Sequence, residues 1–267
     1  MRRNRGLIGI RSDVTASDAT GIFDTFDAYN ASLNGNWPSV SSIPVDTNNL
    51  ILYLDPGNSD SYGGGTTWTD LSDQNNDTTL FGSPSHVSGT PSYFDLDAND
   101  DYIDAGTALP DSYWQGTYTA SIWIYFDLIR TSSNPQNPIF LHGSASSYKG
   151  LHLVQRSSRI AFALYNAAFQ SASTVSVSTW YNITYTMNSS TRAAQIYING
   201  SLDASNTFSS SYSGAGNNCR IADSAWSEST FPNLDGRIGE VFCYDAVLTS
   251  TQITLIMKLL KQNMVSK

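Results

Sequence analysis

The 267-residue chain holds only two glutamates, Glu228 and Glu240, against 21 aspartates, and only four lysines. Glu and Lys favour helices whereas Asp favours turns and caps, so this shortage argues against a helical body. Cysteine is nearly absent. Cys219 and Cys243 are too few for a disulfide framework, and both fall in expected strands as buried thiols unless those strands are neighbours. The histidines His86, His142 and His152 write no H-x-H or H-E-x-x-H pattern, which removes the common zinc spacings. G-x-S-x-G is missing, and the glycines at 63–65 precede no G-K-[ST], which excludes a nucleophile elbow and a phosphate cradle. No apolar run approaches the roughly 20 residues of a membrane span. Between Arg5 and Arg11 stands only GLIGI, shorter than the roughly 7–15 apolar residues of a signal peptide.

Charge is distributed unevenly. Arg2, Arg3, Arg5 and Arg11 open the chain, and Lys258, Lys261 and Lys267 close it. Residues 12–257 carry seven cations and all 23 acids, a balance of −16. Such a body repels nucleic acid and anionic membrane, so neither nucleic-acid binding nor membrane insertion is expected. The arginine arm suits an acidic protein surface instead.

Residues 1–47 and 48–267 read as separate parts. In SDATGIFDTFDAYNASL, the residues Ala19, Ile22, Phe23, Phe26, Tyr29 and Leu33 follow helical spacing. Ser17 or Asp18 can cap this amphipathic helix, and Asn34-Gly35 can end it. Its apolar stripe must be covered by the body, by a second copy in a homo-oligomer, or by a foreign partner. Arg2, Arg3, Arg5, Ile22, Phe23, Phe26 and Tyr29 are therefore the expected partner-anchoring residues. From residue 48 on, short alternating runs such as YTASIWIYF (118–126) and WYNITYTMN (180–188) alternate with polar turns. About twelve such strands indicate an all-β antiparallel sandwich or jelly roll. LTSTQITLIMKLLKQNM reads as a closing helix capped by Thr249 or Ser250, with Ile253, Ile256, Met257 and Leu260 on one stripe.

FDLDANDDYIDAG (94–106) concentrates five aspartates. Asp95, Asp97 and Asn99 match the start of an EF-hand loop, but its glycine position is Asp100 and its bidentate Glu position is Gly106. Turn chemistry is the primary reading of the segment.

The strand runs, above all W-x-x-I-T-Y…IYING and G-R-I-G-E-V…Y-D-A-x-L-T-x-x-Q-I, resemble concanavalin A-like lectin/glucanase domains of the laminin-G-like type over about residues 48–262. The resemblance implies two antiparallel sheets in a jelly roll. It makes 94–106 a hairpin with Phe94, Leu96 and Tyr102 inward and Asp95 and Asp97 outward. Many relatives bind calcium, so Ca2+ at Asp97, Asn99 and Asp100 is an option. Calcium wants six to eight oxygens, and Asp223, Glu228 or Asp235 would have to contribute. No cofactor is required. Glucanases of the superfamily carry E-x-D-x-x-E or E-x-D-x-E on one strand, which two glutamates twelve residues apart cannot write, so no enzyme is expected. An Asp95–Asp97 pair is the remaining hydrolase alternative. For sugar contact the expectation is Trp226 beside Asp223 and Glu228, with Tyr148 as a further loop aromatic, and Tyr212 and Trp114 behind it. Trp123 and Trp180 are expected in the core. Separately, residues 6–38 resemble the N-terminal stretch of structural proteins of tailed marine bacteriophages. That implies a virion protein joined to other virion proteins through residues 1–47, displaying a domain for adhesion to a host surface glycan. A free carbohydrate-binding module is the rival.

Overall fold

The computed structural model describes residues 49–216, 218–224 and 230–265. The expected N-terminal helix with Arg2, Arg3, Arg5, Ile22, Phe23, Phe26 and Tyr29 lies outside them, as do Trp226 and Glu228.

Two antiparallel sheets form a jelly-roll sandwich. The first runs β14 (Ser201–Thr207), β13 (Ala193–Ile198), β12 (Trp180–Asn188), β7 (Tyr118–Phe126), β16 (Asp235–Tyr244), β5 (Tyr93–Asp97) and β4 (Ser85–Val87). β1 (Leu50–Leu54) joins β16 beyond the end of β5. The second runs β11 (Ala168–Thr174), β10 (Arg159–Leu164), β9 (Gly150–Arg156), β8 (Asn137–Gly143), β15 (Arg220–Ile221), β6 (Tyr102–Asp104), β3 (Thr78–Phe81) and β2 (Thr67–Trp68). A short helix α1 (Asp111–Gln115) precedes β7, and α2 (Ser250–Val265) closes the described chain. No described helix is long and apolar enough to cross a membrane.

The alternation in the sequence explains the core. Tyr118, Ala120, Ile122, Ile124 and Phe126 of β7 are all fully buried and meet Phe140, Leu151, Leu153 and Phe162 from the second sheet. Each large apolar side chain buried this way contributes roughly 1.5–3 kcal/mol. The opposite face of β7 is buried as well. Thr119 Oγ1 donates to Ala246 O at 2.7 Å and accepts from Leu248 N at 3.0 Å, which ties the approach to α2 onto the outside of the first sheet. α2 starts as expected: Thr249 Oγ1 accepts from Gln252 N at 3.3 Å, and Gln252 Oε1 accepts from Thr249 N at 2.9 Å. Ile253 and Ile256 are buried. Thr249→Ala should therefore cost about 1 kcal/mol, read as a lower thermal midpoint, and an unchanged midpoint would discount the cap.

Several expectations are corrected. The segment 94–106 is no hairpin, because β5 and β6 belong to opposite sheets. Phe94 and Leu96 do point inward, but the residue that follows them into the core is Ile103. The turn between the strands sets the phase so that Tyr102 faces out, stacked on Phe81 at 4.8 Å with the Arg220 guanidinium 4.3 Å above its ring. β13 and β14 fold onto each other at Asn199-Gly200, where both φ are positive at 51° and 76°. Trp114 and Tyr212 are buried rather than loop platforms. Trp180 is half-exposed on the outer face of the first sheet, opposite in phase to Ile122 and Ile124, while Trp123 on that same face is buried as expected. The two cysteines are free and buried, Cys243 in the first sheet and Cys219 just ahead of β15 in the second.

Candidate functional site

Strand β10 places Ile160, Phe162 and Leu164 in the core, so Ala161 and Ala163 face outward. Two outward alanines leave the surface low. In the adjacent β9, Leu151 and Leu153 face in, and His152, Val154 and Arg156 face out, with His152 opposite Ala163 and Val154 opposite Ala161. Phe231 closes over Leu141, Val154 and Ala161 as a small apolar cap. A cavity of about 390 Å³ results, lined mainly by Gln136, His152, Arg156, Ala163, Tyr165 and Phe231. This lies within the roughly 300–1,000 Å³ usual for small-molecule sites.

The polar groups of the cavity are held from several directions. Gln136 N donates to Thr230 O at 2.9 Å, which fastens the segment before Phe231 to the start of β8. Gln136 Nε2 donates to Asn134 Oδ1 at 2.9 Å, while its Oε1 has no partner although the residue is 5% exposed. His152 meets Phe231 edge-on at 4.8 Å and Tyr165 at 5.8 Å. Burial, reinforced by the charge of Arg156, lowers the His152 pKa to about 4, so the imidazole is neutral at physiological pH. Arg156 Nε is buried without a hydrogen-bond partner, and desolvation lowers the pKa of its guanidinium. No carboxylate occurs among the described lining residues. The arrangement can stack, hydrogen-bond and attract an anion. Among the described lining residues there is no pair of acids of the kind glycoside hydrolysis uses.

The residues expected from sequence are scattered. Asp223 is buried and paired with Arg220. Tyr148 is half-buried against the core, its hydroxyl 2.7 Å from Ser209 Oγ, and it does not line the cavity. Trp226 and Glu228 belong to the undescribed segment leading into Thr230. At the aspartate turn, the carboxylates of Asp97, Asp100 and Asp101 lie within 4.8 Å of one another. Asn99 N and Nδ2 donate to Asp97 at 3.0 and 2.9 Å, and these bonds lower the Asp97 pKa. Asp95 is occupied by Arg237, 3.2 Å away. His142 sits on the strand adjacent to His152 but on the other face, bound to Tyr212 and Asp111 at 2.7 and 2.9 Å. The signal that marks the cavity in sequence is the pair of outward alanines in RIAFAL.

Comparison places this geometry among known folds. No curated protein matches the chain. Domain 4 of a GH43 extracellular arabinanase from Geobacillus stearothermophilus, solved with arabinotriose, superposes with a TM-score of 0.59 at 17% identity, covering 78% of this chain and 98% of that one. The binding domain of botulinum neurotoxin serotype D/C gives 0.59 at 17% identity, covering 81% and 53%. Trypanosoma rangeli sialidase gives 0.58 at 15%, covering 81% and 33%. At these identities the likeness is one of fold, and the chain spans about half and one third of the last two. The model of the laminin G-like family described as the concanavalin A-like lectin/glucanases superfamily matches residues 97–254, and the chain belongs to that family.

Proposed function

We propose that residues 49–265 work as a non-enzymatic, glycan-contacting domain and that residues 1–47 fasten it to other virion proteins for display toward a host surface. The observation that carries the glycan reading is the alanine-floored cavity. It joins an aromatic wall of Tyr165, His152 and Phe231 to an unpaired amide oxygen and a buried guanidinium nitrogen, the combination that sugar rings and hydroxyls require. Arabinotriose in the arabinanase domain is consistent with this reading. The lack of paired acids at the cavity favours binding over hydrolysis. Attachment through the arm rests on its arginines, on the amphipathic spacing of residues 19–33 and on the bacteriophage-like sequence.

Two variants test the two halves. Ala163→Trp fills the cavity floor and should remove glycan-array signal while circular dichroism stays unchanged. A chain lacking residues 1–47 should keep glycan binding and lose incorporation into particles. Retained signal in Ala163→Trp would reject the cavity, and retained incorporation would reject the anchor. Release of reducing ends from a bound glycan would contradict the non-enzymatic assignment.

A further inference from the structure

We infer that the cavity selects sugars that carry a carboxylate, and this selectivity rests on the glycan reading above. The argument begins with the other arginines of the described body. Arg130 donates to Asn137 Oδ1, Arg159 to the carbonyls of Ser171 and Ala172, and Arg192 to Phe208 O. Arg220 pairs with Asp223, and Arg237 with Asp95 and Asp127. Among the described arginines, Arg156 alone makes no side-chain hydrogen bond or ion pair.

This is unexpected in a chain with 23 acids. A partly desolvated guanidinium is costly to leave uncompensated, and surface aspartates are abundant on this protein. Yet none of the described residues that line the cavity with Arg156 is acidic. His152 lies four residues away on the same strand face, and the charge of Arg156 helps to lower its pKa, while the register partner of Arg156 across the hairpin is another cation, Arg159. The cavity is thus a locally cationic pocket in an acidic body. Distant charges are screened over roughly 8 Å at physiological salt, so the local guanidinium decides which ligand is favoured.

The planar guanidinium fork matches a carboxylate through two parallel N–H···O bonds. Gln136 Oε1, unpartnered and 95% buried as judged from its 5% exposure, can take only a donor, which a carboxylate lacks and a sugar hydroxyl supplies. The two groups together therefore fit one molecule bearing both: a uronic or sialic-type sugar, with its carboxylate on Arg156 and a hydroxyl on Gln136. Neutral His152, Tyr165 and Phe231 supply the apolar wall against which the ring packs.

The experiment titrates the full chain with two matched oligosaccharides, trigalacturonate and the neutral α-1,4-linked galactotriose, by calorimetry at 0.15 M salt. Wild type should prefer the acidic sugar by about ten-fold or more, the range of a charge-assisted hydrogen bond. Arg156→Gln should weaken the acidic sugar far more than the neutral one and bring the two affinities within about two-fold, and Arg156→Lys should restore part of the preference. Equal affinities in wild type, or a preference that survives Arg156→Gln, would overturn the charge selectivity and leave the glycan site standing. If neither sugar binds and a wider neutral panel is also silent, the glycan reading falls together with it.

Discussion

Glu240→Gln should stabilise the protein at alkaline pH and leave it nearly unchanged at pH 5. Glu240 lies in β16 where the register with β7 shifts between Ile238 and Val241, so the carboxyl is delivered to the outer face by a bulge rather than by plain alternation. It is 4% exposed, and its Oε2 has no partner. Burial, and then the negative charge of Asp55, raises its pKa from 4.5 to about 8. The folded state thus holds a proton that the unfolded chain releases near its ordinary value. The stability this confers is fully present below about pH 4.5, is lost as pH rises to about 8, and falls no further above that. At about 1.4 kcal/mol per pH unit the loss has an upper size of roughly 5 kcal/mol, and water penetration reduces it to about half. Glutamine keeps the shape without the charge. Urea unfolding at pH 5, 7 and 9 should show a steep decline for wild type and a shallow one for the variant. Parallel declines would mean that Glu240 ionises freely in the fold.

Gly143→Ala should cost more than about 3 kcal/mol. Gly143 ends β8 with φ +91°, and an added Cβ would lie 2.0 Å from Lys149 O and 2.5 Å from the Tyr212 hydroxyl. Neither neighbour can retreat. The Tyr212 hydroxyl donates to His142 O at 3.0 Å, and Asn218 grips Gly143 on both sides, accepting from its N at 2.8 Å and donating to its O at 2.9 Å. Backbone strain at positive φ adds about 1–2 kcal/mol for any side chain. Gly64→Ala isolates that second contribution, since Gly64 has φ +111° with nothing within 4 Å. Gly143→Ala should therefore lose clearly more stability than Gly64→Ala, by a factor of about 1.5 or more, measured by chemical denaturation. Should Gly143→Ala fail to fold, Tyr212→Phe reports on the same knot through the loss of its bonds to His142, about 1–3 kcal/mol. Equal effects at Gly143 and Gly64 would show that the contacts around Gly143 yield.

The sequence displayed the central strands and hid the marginal ones for identifiable reasons. β7, β12 and β16 carry long apolar alternations that are paired on both edges, and their positions were legible. β2, β3 and β4 are two to four residues long within a stretch rich in Gly, Ser and Asp, so turn composition masks them. β11 is an edge strand with only Ser171 buried, held by backbone pairing that leaves no hydrophobic pattern. The resemblance implies an inward Tyr102 as part of a hairpin, whereas the turn through Asp101 gives that position to Ile103. The cavity gathers residues from 134–136, 152–156, 163–168 and 230–231, which only sheet pairing can bring together. Its alanine floor was readable in RIAFAL. The solitary state of Arg156 was not, because it depends on which acids the fold leaves elsewhere.

One measurement bears most directly on the glycan site: mapping amide chemical shifts of the full chain during titration with an acidic and a neutral oligosaccharide. The expected result is a contiguous set of shifts at His152, Arg156, Ala163 and Phe231, saturating with one affinity and leaving Asp97 and Asp100 unmoved. Saturable shifts confined to another face, or none with any sugar, would contradict the assignment of this cavity as the binding site.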